Sequence, residues 1–163
     1  MRNVLKFHFV TMAMAASAIA LVIALIAQYG YDLEPCELCS FQRISYGAVI
    51  LFGGCAAIIG GWNKSDLGYL FCIIFLCGAV LGFYHTGVEQ HWWQAASSCG
   101  GQQLMPSTLA ELKLGLSKTL PKACDEIDWT LFGLSMSVYN TGVSLMLSIL
   151  GILSARMNQS GAG

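Results

Sequence analysis

The chain has 163 residues, and only 10% of them are charged (8 Lys+Arg, 9 Asp+Glu), against about 25% in a soluble globular domain. Its 56% hydrophobic content and net charge of −1 exclude disorder, which needs low hydrophobicity and high net charge. They also argue against an ordinary soluble domain, which could not cover so much apolar surface, and give no support to a nucleic-acid partner.

Four charge-free stretches divide the chain. They hold 25 residues between Lys6 and Asp32, 20 between Arg43 and Lys64, 22 between Asp66 and Glu89, and 27 between Asp128 and Arg156. Each can cross about 30 Å of hydrocarbon, which takes about 20 residues. They predict four transmembrane helices, at about 8–29, 43–62, 67–87 and 133–155. The fold class is therefore an all-α membrane protein, a four-helix bundle forming a single domain over 1–163. The first apolar run exceeds the roughly 7–15 residues of a signal core, so it reads as a span and not as a cleaved leader.

Orientation follows from basic residues. Arg2, Lys6, Lys64 and Arg156 cluster tightly on one side, whereas Arg43, Lys113, Lys118 and Lys122 are spread through the other. The first helix has a basic flank only at its amino end, which sets both termini in the cytoplasm. Trp62, Trp92, Trp93 and Trp129 lie at the expected span ends, as an interfacial aromatic belt does.

Two segments then face outward, a short loop at about 30–42 and a long one at about 88–132. Within the long loop, Met105, Leu109, Leu112, Leu116 and Leu120 recur at helical spacing. Thr108 and Glu111 offer a capping box after Pro106, and Pro121 ends the run. That pattern predicts a short amphipathic helix on the membrane surface or one packed on other loop residues.

Cys55, Cys72 and Cys77 fall in predicted spans and read as small buried hydrophobes. The other four cysteines all face outward: Cys36 and Cys39 as a Cys-x-x-Cys, and Cys99 and Cys124 in the long loop. In an oxidising compartment such thiols pair. Two structural disulfides are one reading. A bridge within Cys-x-x-Cys constrains little of the unfolded chain and suits redox chemistry better. A zinc shell fits poorly, because 24 residues separate the second pair, unlike a zinc ribbon. No metal is expected.

Pro35 suits the first turn of a helix, which puts Cys36 and Cys39 at the start of helix two. The partial positive charge there favours a thiolate. Arg43 lies one turn beyond Cys39 on the same face. Its fixed charge can stabilise a Cys39 thiolate and polarise the carbonyl of an acceptor. With no haem motif or flavin fingerprint in the chain, a lipid-soluble quinone is the natural electron acceptor.

These features together resemble the DsbB family of disulfide-generating membrane oxidoreductases. The resemblance rests on four helices, Pro-Cys-x-x-Cys before helix two, Arg43, and the second cysteine pair in the long loop. It extends to Tyr84-His85-Thr86-Gly87-Val88-Glu89 and to Cys124-Asp125 leading to Trp129-Thr130-Leu131-Phe132-Gly133-Leu134-Ser135-Met136. It implies a protein-disulfide:quinone oxidoreductase of the bacterial inner membrane, with its redox loops in the periplasm. The implied partner is a DsbA-like thioredoxin-fold oxidase, and the implied cofactor is ubiquinone or menaquinone. It further implies a relay in which the partner attacks Cys99, Cys124 is released to attack Cys36, and Cys39 passes electrons to quinone beside Arg43 and His85. Gln42 departs from those family members that carry an acid there. A vitamin K epoxide reductase-like enzyme is disfavoured, because its Cys-x-x-Cys lies near the last helix. A non-enzymatic four-helix scaffold with structural disulfides is the remaining alternative.

Overall fold

The computed structural model describes residues 2–60, 62–95, 122–127 and 129–160, with backbone alone for 2–7. Cys99 and the expected amphipathic helix at 105–120 lie outside the described residues. Four long helices account for most of the rest: α1 (Arg2–Gly30), α2 (Glu37–Ile59), α3 (Lys64–Glu89) and α4 (Met136–Gln159). All four are long and apolar enough to cross a membrane.

The helices run a few residues beyond or short of most expected span ends, α1 from Arg2 and not near 8, and two of the shifts have a visible cause. Helix two starts at Glu37, where Pro35 puts it, and so begins ahead of the charge-free span placed at 43; the charge taken as that span's boundary is satisfied within the bundle. Arg43 Nη1 donates to Gln28 Oε1 (2.5 Å) and Nη2 to the Ala24 carbonyl (3.3 Å), both on α1. Helix four starts at Met136 and not at 133. The residues just before it form a two-stranded antiparallel hairpin, β1 (Thr130–Leu131) and β2 (Leu134–Ser135). Its two-residue turn has φ 51° at Phe132 and 78° at Gly133, and such left-handed pairs match the twist of a tight hairpin.

All four helices supply the core. Phe9 and Ala13 of α1 meet Tyr46 and Val49 of α2, Leu67, Phe71 and Phe75 of α3, and Leu147 of α4. Large apolar residues on the outer faces remain exposed, Ile58 at 87% and Ile19 at 61%, as lipid-facing side chains should be. The closest helix pair is α3 with α4. Gly68 faces Gly151 and Ala155 so tightly that a β-carbon at Gly68 would stand 3.1 Å from the Gly151 carbonyl oxygen. Small residues of this kind let membrane helices approach backbone to backbone.

At one end of the bundle the finish of α1, the start of α2, the finish of α3 and the start of α4 converge. There the chain turns back after α3, with Trp92 N donating to the Gly87 carbonyl (2.8 Å). Trp93 then lies on Tyr84, stacked at 5.9 Å, and donates its indole N–H to the Tyr84 carbonyl (3.0 Å). Tyr84 and Trp93 pack against the buried cluster that holds Cys36 and Cys124.

Candidate active site

Cys36 is the N-cap of α2. Its sulfur accepts the Cys39 backbone N–H at 3.3 Å, as a capping side chain does for an open helix end. Capping draws the side chain over the first turn and brings the Cys36 and Cys39 sulfurs to 3.1 Å, with the Cys36 thiol as donor. That hydrogen bond, followed by burial, pushes the Cys36 thiol up to about 12. The pair therefore has unequal members: Cys36 is held protonated, and Cys39 receives its proton's hydrogen bond.

Cys36 is buried in one cluster with Leu38, Val88 and the fully buried Cys124. The segment carrying Cys124 thus reaches the first cysteine of the motif. His85, 3% exposed, stands where these elements meet. Its Nε2 lies 3.6 Å from Cys36 Sγ and 3.5 Å from Glu89 Oε1. Gln42 holds its Nδ1 at 3.1 Å, and the Cys124 backbone approaches the ring.

Sequence reasoning placed His85 here only by resemblance. It gave no role to Gln42 within the site, nor to Glu89, Ser135 and Ser137. Glu89 is buried, and its Oε2 accepts hydrogen bonds from Ser135 Oγ (2.5 Å) and from Ser137 Oγ. Ser137 also meets Thr86 Oγ1 at 3.0 Å. The available signal was spacing: Glu89 follows His85 by four residues, which sets both on one helix face.

Beside the thiols lies a cavity of about 310 Å³. Ala20, Ala24 and Ala27 of α1 wall it, and Cys39, Arg43 and His85 bring polarity to it. Its volume falls in the range of small-molecule sites, which are mostly apolar with a few polar groups. Asn140 also lines it. The Asn140 amide oxygen accepts from Tyr46 OH, while its buried Nδ2 has no hydrogen-bond partner among the described residues. An apolar slot with cationic and amide donors suits a flat, carbonyl-bearing lipid such as a quinone.

Among the described residues, Cys36, Cys39 and His85 bring three ligand-type atoms within 4.8 Å of one another.

A four-helix membrane bundle that buries a dithiol beside a lipid-sized slot defines the class, a membrane thiol–disulfide oxidoreductase. The chain belongs to the DsbB family: the family model described as disulfide bond formation protein DsbB matches residues 6–154. Among similar proteins, disulfide bond formation protein B of Xylella fastidiosa (strain Temecula1) is 28% identical over 138 residues, which is 82% of this chain and 80% of that protein. Disulfide bond formation protein B 2 of Pseudomonas savastanoi pv. phaseolicola is 31% identical over 159 residues, covering 86% and 85%. An uncharacterized protein of Rickettsia prowazekii is 31% identical over 140 residues, covering 84% and 81%. The chain is a multi-pass bacterial membrane protein that generates disulfides.

Proposed function

We propose that the chain, acting as one four-helix domain, reoxidises a soluble DsbA-like thioredoxin-fold oxidase and sends the electrons to a membrane quinone. Both termini then lie in the cytoplasm, and the thiol end faces the periplasm. One observation carries the assignment of roles: Cys36 shares a buried cluster with Cys124 while its sulfur lies 3.1 Å from that of Cys39. Cys36 is thus the exchange point between the two cysteine pairs.

The steps balance as thiol–disulfide exchanges. A partner thiolate attacks Cys99 of a Cys99–Cys124 disulfide and releases Cys124. The Cys124 thiolate attacks Cys36 of a Cys36–Cys39 disulfide and releases Cys39 as thiolate. Resolution by the partner's second thiol and return of Cys124 to Cys99 leave Cys36 and Cys39 as a dithiol. A quinone supplies the sink, accepting two electrons and two protons to become a hydroquinone. Arg43, fixed by Gln28 and the Ala24 carbonyl, keeps a cation on the cavity wall one turn from Cys39, where it stabilises negative charge. The apolar wall of α1 orients a lipid tail and excludes water.

The test is stopped-flow quinone reduction by the purified full chain with a reduced DsbA-like oxidase. Hydroquinone should form only when that partner is present and reduced. Arg43→Ala should slow quinone reduction at least about tenfold, the loss of one charge-stabilising contact, while partner exchange stays unchanged. A chain that leaves the partner reduced in the presence of excess quinone sinks the reading.

A further inference from the structure

A buried carboxylate is costly unless it is paired, and Glu89 is paired on both oxygens. Oε2 accepts two hydroxyl hydrogen bonds, from Ser135 and Ser137, so that oxygen is held as an acceptor. Oε1 faces His85 Nε2 at 3.5 Å, the same nitrogen that faces the Cys36 sulfur at 3.6 Å. Gln42 occupies the other ring nitrogen, and a carboxamide serves either tautomer by turning over. A thiol, an imidazole and a carboxylate are therefore strung in one line, and Cys36 must lose a proton before its sulfur can act.

We propose that Glu89 is a positioning residue for proton removal from Cys36: its carboxylate makes His85 the acceptor of that proton. The inference rests on the relay proposed above. The Cys36 S–H bond breaks, and an N–H bond forms at His85 Nε2. The freed sulfur electron pair closes the bond to Cys39, which reacts as the thiolate that the exchange releases; two electrons leave through Cys39 to the quinone, and the two protons that complete the hydroquinone come from the imidazolium and from water. Glu89 balances the imidazolium charge throughout. The position ahead of Arg43 is the amide Gln42, so α3 supplies the carboxylate that α2 lacks there.

Other charged or titratable groups around the cavity are Cys39, Arg43 and Tyr46 on α2, Glu34 before it, Tyr139 on α4, and Lys122 and Glu126 beside Cys124. Among the described residues, Glu89 is the carboxylate that ion-pairs with His85.

The test uses the full chain in detergent, without quinone, in a Cys39→Ala background, and follows alkylation of Cys36 against pH by mass spectrometry. With Glu89 intact, the imidazolium beside Cys36 favours its thiolate. Glu89→Gln keeps the size and an acceptor oxygen but removes the charge. Its alkylation midpoint should move up by about one pH unit, a tenfold slower reaction at fixed pH, and Glu89→Asp should recover part of the difference. A midpoint that stays put, or moves down, overturns the proposal. Thiol exchange at Cys99–Cys124 with the partner, measured in Glu89→Gln with the native cysteines, should be unchanged, and its loss would show Glu89 to be a folding residue only. Because no quinone enters the alkylation, failure of the quinone reading leaves this result standing.

Discussion

Toward the end of the bundle opposite the thiols, where α3 begins and α4 finishes, the two helices meet through Gly68, Gly151 and Ala155. At the thiol end the same two helices meet through Thr86, Glu89, Ser135 and Ser137. The first contact is backbone against backbone, tight and without charge. The second is a hydrogen-bonded network around a buried acid. Each region also holds a cysteine: Cys72 Sγ lies 3.4 Å from Ser148 Oγ beside the glycine seam, and Cys36 lies beside His85 at the thiol end. Residue type is the same, and the surroundings decide the chemistry. A thiol near a hydroxyl and two backbones has no group to take its proton. One near an imidazole and a carboxylate has such a group.

The largest effect that could break this contrast is loss of a cysteine. Cys36→Ala or Cys39→Ala should lower turnover by about a thousandfold or more, since residues that act as a unit fail together. Cys72→Ala should leave turnover within about twofold and cost under about 2 kcal/mol of stability, as a small packing change does. Quinone reduction and a denaturation midpoint on the three variants decide it. Comparable loss in Cys72→Ala would put the glycine seam in the chemistry.

A second effect concerns pH. A thiol pushed up to about 12 stays protonated at neutral pH, and its reactivity grows as pH rises. The leading cause is the hydrogen bond to Cys39, ahead of burial. Cys39→Ala removes that cause, so the Cys36 thiolate should form at lower pH. Alkylation of Cys36 at pH 8 should then be at least about tenfold faster than in the reduced native chain, because the thiolate is the reactive species. An unmoved profile would show burial alone to be in control.

The two regions also differ in how far the sequence discloses them. Apolar length is additive along the chain, so the gaps in charge located all four helices. Arg43 misplaced one end, because a cation that finds a carbonyl and an amide on α1 can sit inside a span. Phe132-Gly133 misplaced another, since its left-handed turn interrupts an apolar run that composition alone treats as continuous. The thiol pair was legible because its geometry is local: an N-cap and the residue three positions on. His85 came by resemblance. The Glu89 network was not legible, because it joins α3 to the start of α4 across about 46 residues, and sequence spacing carries no information on such a contact. Cys99 and the surface helix expected near 105–120 fall outside the described residues.

The smallest effect tests whether the two regions are independent. A β-carbon at Gly151 would meet the Gly68 carbonyl oxygen at 3.0 Å and the Cys72 nitrogen at 3.2 Å. Both are backbone atoms and cannot swing aside as a flexible side chain does, so α3 and α4 must part. Overpacking of this kind costs about 1–3 kcal/mol, and Gly151→Ala should lower the unfolding midpoint in detergent accordingly. Gly142→Ala, on the same helix with nothing within 4 Å of its added carbon, should instead gain up to about 1 kcal/mol from the helix preference of alanine. Substitutions more than about 7–10 Å apart that share no partner act additively. Cys36 alkylation should therefore be the same in Gly151→Ala as in the native chain. A change in that rate would mean that the spacing of α3 and α4 at the glycine seam is transmitted to Glu89 and His85, and that the seam sets the chemistry as well as the packing.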